Sequence, residues 1–291
     1  MSEEKKNLGG VVNIDCRTPA IIADNLSRNI CVQKVNASIF NLTILGILAG
    51  VYIAFGASLA TLAGHDATKY VGMGIARLIS GAVFSVGLMF VVIAGAELFT
   101  GNNLMLMSVL DKKSPLGKML FKWGLVYVAN LIGSIFLAYL YYKSNLWKMG
   151  NNMGVGVSAL TIANLKVNLT FIEALTRGIL CNWLVCLAVW MATASRDVTG
   201  KMLACFFPIM AFVASGFEHS IANMYFIPMG LFLKSSGQII IAGLDLTNLT
   251  WTNFFLKNLI PVTIGNIIGG AFFVGLLYWT VYVKGVEAKQ R

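Results

Sequence analysis

Charged side chains are scarce in this 291-residue chain: they make up 12% of the sequence, whereas hydrophobic residues make up 57%. Soluble domains carry about 25% charged residues, so a chain this long and this apolar cannot cover its surface against water. Lipid is the solvent that fits such a composition. The first ten residues are polar and lack the apolar stretch of a signal peptide, so we expect no cleaved leader.

Residues that bind metals or act as nucleophiles are also few. The chain has two histidines, and its five cysteines form no Cys-x-x-Cys pair. We therefore interpret the cysteines as packing residues and predict no disulfide framework, no metal site and no cofactor. The sequence contains no Ser-His-Asp grouping and no nucleotide-binding loop, which argues against an enzyme.

Long apolar runs are abundant instead. A helix that crosses a membrane needs about 20 mostly apolar residues. Six stretches meet this requirement, and they are 37–62, 70–97, 116–142, 171–194, 201–233 with an interruption, and 254–283. The fold class predicted from them is an all-α membrane protein with six transmembrane helices, which puts both termini on one side of the bilayer.

The distribution of lysine and arginine predicts which side that is. Most of the 22 basic residues fall in segments that share a side with the termini, and basic residues favour the cytoplasm. We therefore predict a multi-pass protein of the cell membrane with both termini cytoplasmic. Much of the formal net charge of +10 is then an orientation signal, and no nucleic-acid partner is required.

The chain is expected to divide into three parts. Residues 1–35 form a cytoplasmic N-terminal segment, in which 18–34 has the spacing of an amphipathic helix. Such a helix either anchors the chain at the membrane interface or acts as a gate. Residues 36–283 form the transmembrane domain and 284–291 a cytoplasmic tail. The outer stretch 143–165 is interpreted as a connection between two halves of that domain.

The two halves resemble each other. Three pairs of similar stretches occur in chain order: 46–48 with 178–180, 95–102 with 216–223, and 130–133 with 266–269. Each half has three spans, so the second half enters the membrane from the opposite side. The sequence therefore predicts two inverted three-helix repeats, about 36–142 and 168–283, with the conduction site at their interface.

The middle pair of these stretches has the form Gly-x-Glu-x4-Asn and interrupts an apolar run in each half, so the second and fifth spans are predicted to be broken helices. Irregular backbone at membrane depth survives only where protein or water satisfies its amides. We expect Glu97 and Glu218 to brace these breaks by accepting hydrogen bonds from loop amides; direct ion handling is the alternative. Arg177 is expected to pair with Glu173, a structural contact.

Two cationic or titratable residues are candidates for ion handling. His219 lies at the second break and is the only histidine predicted within the membrane. It is either a satisfied core residue or a group that hydrogen-bonds a passing anion and supplies a proton. Lys166 at the outer entrance of the fourth span either draws anions into a vestibule or reaches to water as an interfacial lysine.

These motifs resemble those of a known family. The stretches 94–102, 178–188 and 216–225 are similar to signatures of the formate–nitrite transporter family, and the resemblance covers about 18–283. It implies an aquaporin-like fold assembled as a homopentamer with one pore per subunit. The family moves formate, nitrite, hydrosulfide, or lactate and acetate.

The resemblance also implies roles for individual residues. His219 would be the central histidine, Lys166 the vestibule lysine, and Thr100 a hydrogen-bonding residue in the mobile loop of the second span. The N-terminal helix would take part in gating. The remaining pore residues would be Asn182 and Asn266 as polar lining, with apolar constrictions at Phe84, Leu88, Leu98, Phe99 and Phe212.

The expected function is a pH-dependent channel or transporter for the small monovalent anion of a weak acid. Formate is the first candidate, and whether His219 transfers a proton is left open. Nitrite, hydrosulfide, and lactate or acetate remain alternatives. A water or neutral-solute channel is the rival class, but aquaporins carry paired Asn-Pro-Ala motifs and this sequence has none. The expected partners are the anion and the lipid bilayer, and whether protons accompany the anion is left open.

Overall fold

The computed structural model describes residues 16–285, and all regular structure in that range is helical. Ten main helices follow one another: α1 (19–36), α2 (Ile39–Gly64), α3 (Thr68–Gly95), α4 (101–110), α5 (Leu116–Lys143), α6 (Gly154–Val167), α7 (Phe171–Ala194), α8 (Val198–Ser215), α9 (Ser220–Ser236) and α10 (Trp251–Lys284). Six of them, α2, α3, α5, α7, α8 and α10, are long and apolar enough to cross a membrane. The six predicted spans are confirmed. Most of the predicted tail and the first fifteen residues lie outside the described range.

Two glycines end the helices that carry the Gly-x-Glu motifs. Helix α3 ends at Gly95 with φ +85°, and α8 is followed by Gly216 with φ +77°. Glycine adopts this left-handed backbone without steric cost, so each helix stops at the first residue of its motif. Non-helical links follow, 96–100 in the first half and 217–219 in the second, before α4 and α9 begin.

Helix α1 lies across one end of the bundle, which we call the inner side. Its residues Ile22, Leu26 and Val35 are at most 2% exposed, because its apolar face packs on protein, including α4 and the end of α10. Just before α1, the Arg17 guanidinium donates to the carbonyl oxygen of Thr193 at 2.6 Å. The predicted amphipathic helix is present, and its contact with α10 brings both ends of the described chain to the same side.

The outer stretch 143–165, predicted as a connection between the two halves, contains a helix in its second half. Residues Gly154–Val167 form α6, which packs on α9 with Ala163 against Gly230. Apolar residues spaced along one face of α6 are at most 6% exposed: Val155, Ala159, Leu160, Ala163 and Val167. This buried stripe is the face that α6 packs against the rest of the protein. Lys166 consequently lies in the last turn of α6 rather than at the start of α7.

Glycines allow two pairs of spans to pack backbone against backbone. Between α2 and α5, a Cβ added at Gly133 would fall on the carbonyl oxygen of Ile47. Between α7 and α10, a Cβ added at Gly269 would fall on that of Ile179. Small residues at helix contacts are the usual means of close packing in membranes. The two contacts occupy matching positions of the repeat.

We expect Gly133→Ala to lower the free energy of unfolding by about 1–3 kcal/mol, because the added methyl group overpacks the contact between α2 and α5. Gly124→Ala in the same helix is the matched control, since a Cβ there meets nothing within 4 Å. Thermal unfolding of the detergent-solubilised protein measures both. Equal midpoints for the two variants would contradict the backbone-to-backbone contact.

Candidate functional site

A lysine and an asparagine bind the first motif's glutamate. The Lys34 ammonium donates to both carboxylate oxygens of Glu97 at 2.8 Å, and Asn102 Nδ2 donates to the same carboxylate at 2.9 Å. Lys34 lies at the end of α1, and Asn102 lies five residues after the glutamate. We call these three residues the inner cluster.

The second half repeats this arrangement. The Lys166 ammonium donates to the two carboxylate oxygens of Glu218 at 2.9 and 3.0 Å, and Asn223 Nδ2 donates at 2.6 Å. We call these three residues the outer cluster. Its lysine comes from the end of α6, so α1 and α6 hold equivalent places. We infer that the repeat begins before the first and fourth spans, earlier than the predicted boundaries at 36 and 168.

The bracing partners of the two glutamates differ from the prediction. The expected donors are loop amides, but the donors to the carboxylates of Glu97 and Glu218 are a lysine and an asparagine side chain in each half. A partly buried carboxylate needs a charged partner, because desolvation penalises an unpaired ion. The backbone N–H groups of the two glutamates donate elsewhere, to the carbonyl oxygens of Leu45 and Arg177 at 3.1 and 3.2 Å.

Asn130 fixes the first break. Its Oδ1 accepts the N–H of Phe99 at 2.9 Å, and its Nδ2 donates to the carbonyl oxygens of Gly46 and Glu97 at 2.7 and 2.9 Å. The side chain is fully buried, and these three bonds use its acceptor and both of its donor hydrogens. Asn130 aligns with Asn266 in the internal repeat, but the sequence alone does not mark Asn130 as a site residue.

Asn266 makes the same three bonds at the second break. Its Oδ1 accepts the N–H of Ser220 at 2.9 Å, and its Nδ2 donates to the carbonyl oxygens of Gly178 and Glu218 at 2.8 and 3.0 Å. The prediction that Asn266 lines the pore stays a prediction. Its side chain is fully buried and lines neither of the two cavities described below, because the non-helical backbone occupies its hydrogen-bonding groups.

His219 caps the start of α9 and contacts the other half. Its Nδ1 accepts the N–H of Ala222 at 3.1 Å, and its Nε2 lies 2.9 Å from Thr100 Oγ1. A backbone N–H can only donate, so this network assigns the lone pair to Nδ1 and the proton to Nε2. His219 is then a neutral imidazole that donates to Thr100, and the Thr100 hydroxyl hydrogen is left for another acceptor.

Asn182 and Cys186 of α7 hold Thr100 from its backbone. Asn182 Nδ2 donates to the Asn266 carbonyl oxygen at 2.7 Å and to Asn103 Oδ1 at 2.8 Å, with the Thr100 carbonyl oxygen a third, longer contact at 3.2 Å. Cys186 Sγ lies 3.4 Å from the Thr100 carbonyl oxygen. Asn182 Oδ1 is buried and has no hydrogen-bond partner among the described residues. Asn182 is fully buried and lines neither cavity, so its predicted pore contact stays a prediction.

Two cavities approach this centre from opposite ends of α2. The outer cavity, of about 310 Å³, has His219, Phe84 and Phe212 in its wall. The inner cavity, of about 520 Å³, has Leu88 and Leu98 in its wall. These four apolar side chains are at most 3% exposed. The rings of Phe84 and Phe212 meet edge to face with centroids 5.7 Å apart.

Thr100 lies between the two cavities. It contacts His219, which lines the outer cavity, and it precedes Gly101, which lines the inner one. Phe99, by contrast, lines neither cavity. Its ring packs against Tyr127 and Trp123 of α5, with centroids 4.9 and 6.1 Å apart. The turn that presents Thr100 to the centre sends its neighbour toward α5, and the predicted constriction at Phe99 stays a prediction.

Comparison with known proteins decides the family. A family model described as "Formate/nitrite transporter" matches residues 22–280. This chain belongs to that family. It is 43% identical to the "Probable formate transporter" of Methanothermobacter thermautotrophicus, over 92% of this chain and 98% of that protein. It is 40% identical to the "Formate channel FocA" of Escherichia coli K12, over 82% of this chain and 86% of that protein.

Solved structures agree with the assignment to the formate/nitrite transporter family. A "Pentameric formate channel with formate bound" matches with a TM-score of 0.75 and 35% identity, covering 84% of this chain and 98% of that chain. An "FNT family ion channel" matches with a TM-score of 0.76 and 30% identity, covering 90% and 98%. The family and the six-span, all-α fold class predicted from the sequence are confirmed.

We expect Glu218→Ala to lower the free energy of unfolding by about 3 kcal/mol or more, because it leaves the Lys166 ammonium partly buried without its counter-ion. Glu173→Gln is the matched control. It removes the charge of an exposed pair, in which Arg177 lies 3.7 Å away, and such pairs contribute little. Denaturant unfolding in micelles measures both variants. Losses of equal size would contradict the bracing role of the outer cluster.

Proposed function

We propose that this chain is a channel for formate, assembled as a homopentamer with one pore per subunit. The observation that carries the proposal is a pair of positively charged cavities that converge, through apolar side chains, on the neutral His219–Thr100 pair. The relatives named as formate transporter and formate channel, and the pentameric structure with formate bound, support the substrate and the assembly.

The charge of both cavities favours anions. Each is lined by three cationic side chains and one carboxylate, so each has a net positive lining. The residues are Arg77, Lys166, Arg177 and Glu218 in the outer cavity, and Arg17, Lys34, Lys201 and Glu97 in the inner one. A cavity of one sign with low-dielectric walls raises the local concentration of the opposite charge. Cations are repelled at both ends of the path.

The apolar side chains between the cavities set a barrier for hydrated ions. An anion that leaves water without replacement contacts loses most of its solvation free energy. Phe84 and Phe212 on the outer side, with Leu88 and Leu98 on the inner side, offer no such contacts. The hydroxyl of Thr100 supplies a hydrogen-bond donor at the middle of the path. A small anion with one or two oxygen acceptors, or its neutral acid, fits this arrangement.

Proton transfer at His219 has a structural cost in this fold. The only lone pair of the neutral imidazole is on Nδ1, where it accepts the N–H of Ala222 at the first turn of α9. A proton added at Nδ1 displaces that capping bond and puts a positive charge at a helix N-terminus, which the helix dipole disfavours. We therefore propose that His219 first acts as a neutral donor, and that proton uptake is coupled to loosening of this turn.

We expect His219→Phe to leave pentamer assembly intact, to lower formate flux and to weaken its dependence on pH, because the donor to Thr100 is lost. His219→Asn keeps a capping acceptor for α9 and is the conservative variant. His65→Gln, at the other histidine, is the control. Formate uptake into proteoliposomes at two pH values measures all three. Unchanged flux of His219→Phe at every pH would contradict a central role for this residue.

The rival class, a water or neutral-solute channel, is separated by stopped-flow light scattering of the same proteoliposomes. We expect a formate gradient to drive volume changes well above those of protein-free vesicles, and an osmotic gradient of impermeant solute to give the protein-free rate. Competing nitrite, hydrosulfide and lactate rank the alternative anions. Fast water flow without formate flow would overturn the proposal.

The proposed location is the cell membrane with both termini in the cytoplasm. Packing of α1 against the end of α10 supports termini on one side, and the distribution of basic residues supports the cytoplasmic side. The inner cavity then faces the cytoplasm, and the outer cavity faces the exterior.

A further inference from the structure

We propose that Arg77 and Arg177 form a carboxylate-binding site at the mouth of the outer cavity, which takes up the anion before it reaches the outer cluster. This inference rests on the proposed function and deepens it. It assigns the first binding step from outside to two arginines, one on α3 and one on α7, that face a single cavity.

The charge of Lys166 is already compensated. Its ammonium donates to both oxygens of Glu218 at 2.9 and 3.0 Å and lies 5.3 Å from the ring centroid of Phe226. An anion that approaches from outside therefore meets an ion pair at this position, with little net charge. The remaining positive charge of the outer cavity comes from Arg77 and from Arg177, whose only ion pair in the described part of the chain is the exposed 3.7 Å contact with Glu173.

The repeat does not explain an arginine at position 177. The second break needs only the carbonyl oxygen of residue 177, which accepts the N–H of Glu218 at 3.2 Å. At the first break the same bond runs from Glu97 to the carbonyl oxygen of Leu45 at 3.1 Å. A leucine is therefore sufficient for this backbone hydrogen bond, and the cationic side chain of Arg177 has no counterpart at the equivalent position of the first repeat.

The ion pair with Glu173 does not explain Arg177 either. The closest nitrogen–oxygen distance is 3.7 Å, and the two side chains are 41% and 48% exposed. Exposed pairs of this geometry contribute little stability. Glu173 has other partners, since its Oε2 accepts from the backbone N–H and the hydroxyl of Thr170 at 2.9 and 2.8 Å. The Arg177 guanidinium can therefore turn to an incoming anion without loss of a strong contact.

Arg77 has no hydrogen bond or ion pair within residues 16–285. A Cβ added at Gly216 would lie 3.5 Å from Arg77 Nη1, so the guanidinium lies beside the C-terminal end of α8. The N–H groups of Gly216 and Phe217 at this end donate to the carbonyl oxygens of Val213 and Phe212, and no backbone carbonyl of residues 16–285 accepts a hydrogen bond from Arg77. All five N–H donors of Arg77 are left for a ligand.

Guanidinium groups select the shape of the anion. Their planar fork matches the two oxygens of a carboxylate, whereas lysine acts as a point charge. Formate is planar and has two equivalent oxygens, so either arginine can bind it in the bidentate mode. The pair therefore favours small carboxylates over spherical anions at the point of entry.

The test is initial uptake of labelled formate by cells that lack other formate channels, as a function of formate concentration and at low and physiological ionic strength. The variants are Arg77→Gln, Arg177→Gln, and both arginines changed to lysine. Lys69→Gln is the matched control, because it removes one positive charge from the same end of α3 and does not line the cavity. Elution as the wild-type oligomer confirms assembly.

We expect each glutamine variant to raise the half-saturating formate concentration at least about threefold at low ionic strength, with maximal uptake little changed, because recruitment is lost and the centre is intact. The lysine variant restores only part of the loss. If the glutamine variants have the half-saturating concentration of wild type or of Lys69→Gln, the arginine site is overturned. If the lysine variant recovers fully, bidentate binding of the carboxylate by guanidinium is overturned. Absence of formate uptake by wild type would instead contradict the proposed function.

Discussion

Backbone that leaves the helix in the middle of a membrane must find protein partners for its amides, and the rest of this structure depends on that constraint. Asn130 and Asn266 meet it with three identical bonds each, joining a link to the span packed beside it. The lysine–glutamate–asparagine clusters add a second tie at each break. The centre is therefore held by a symmetric set of buried polar contacts rather than by apolar packing alone.

This bracing decides the state of the central residues. Because the second link is fixed at both ends, the imidazole of His219 is positioned as the cap of α9, with Nδ1 facing Ala222 and Nε2 facing Thr100. The first link is fixed by Asn130, and its turn delivers the hydroxyl of Thr100 to the same point. Each half supplies one member of the pair, so the hydrogen bond between them joins the two repeats at their interface.

Much of the fold could be predicted from the sequence, because membrane spans and a repeated motif leave strong local signals. Six apolar runs and the two Gly-x-Glu motifs located the spans and the link residues. The partners of Glu97 and Glu218 could not be predicted, because Lys34 and Lys166 lie more than 50 residues away in α1 and α6. Helix α6 itself was hidden by its short length and by the glycines and asparagines that precede it.

The direction in which side chains point was the other feature that the sequence could not predict. Nothing in the stretch of apolar and polar residues after Glu97 distinguishes Leu98, which lines the inner cavity, from Phe99, which packs on α5. Only the geometry of the turn shows that these two side chains point in different directions. Asn266 raised the same difficulty, since a buried asparagine serves equally well in sequence terms as a pore residue or as a partner for broken backbone.

The repeat also shows where function is free to differ between the two faces. Bonds that use backbone groups, such as those to the carbonyl oxygens of Leu45 and Arg177, constrain the chain path and leave the side chain open to change. The first repeat has leucine there and the second has arginine. The cationic lining of the inner cavity comes in part from Lys201 and from Arg17, which also donates to the carbonyl oxygen of Thr193. The arginines of the outer cavity lie on α3 of the first repeat and on α7 of the second. The hydrogen bonds at the two breaks are equivalent, whereas the cationic linings of the two cavities differ. One centre can therefore receive the same anion from two different environments.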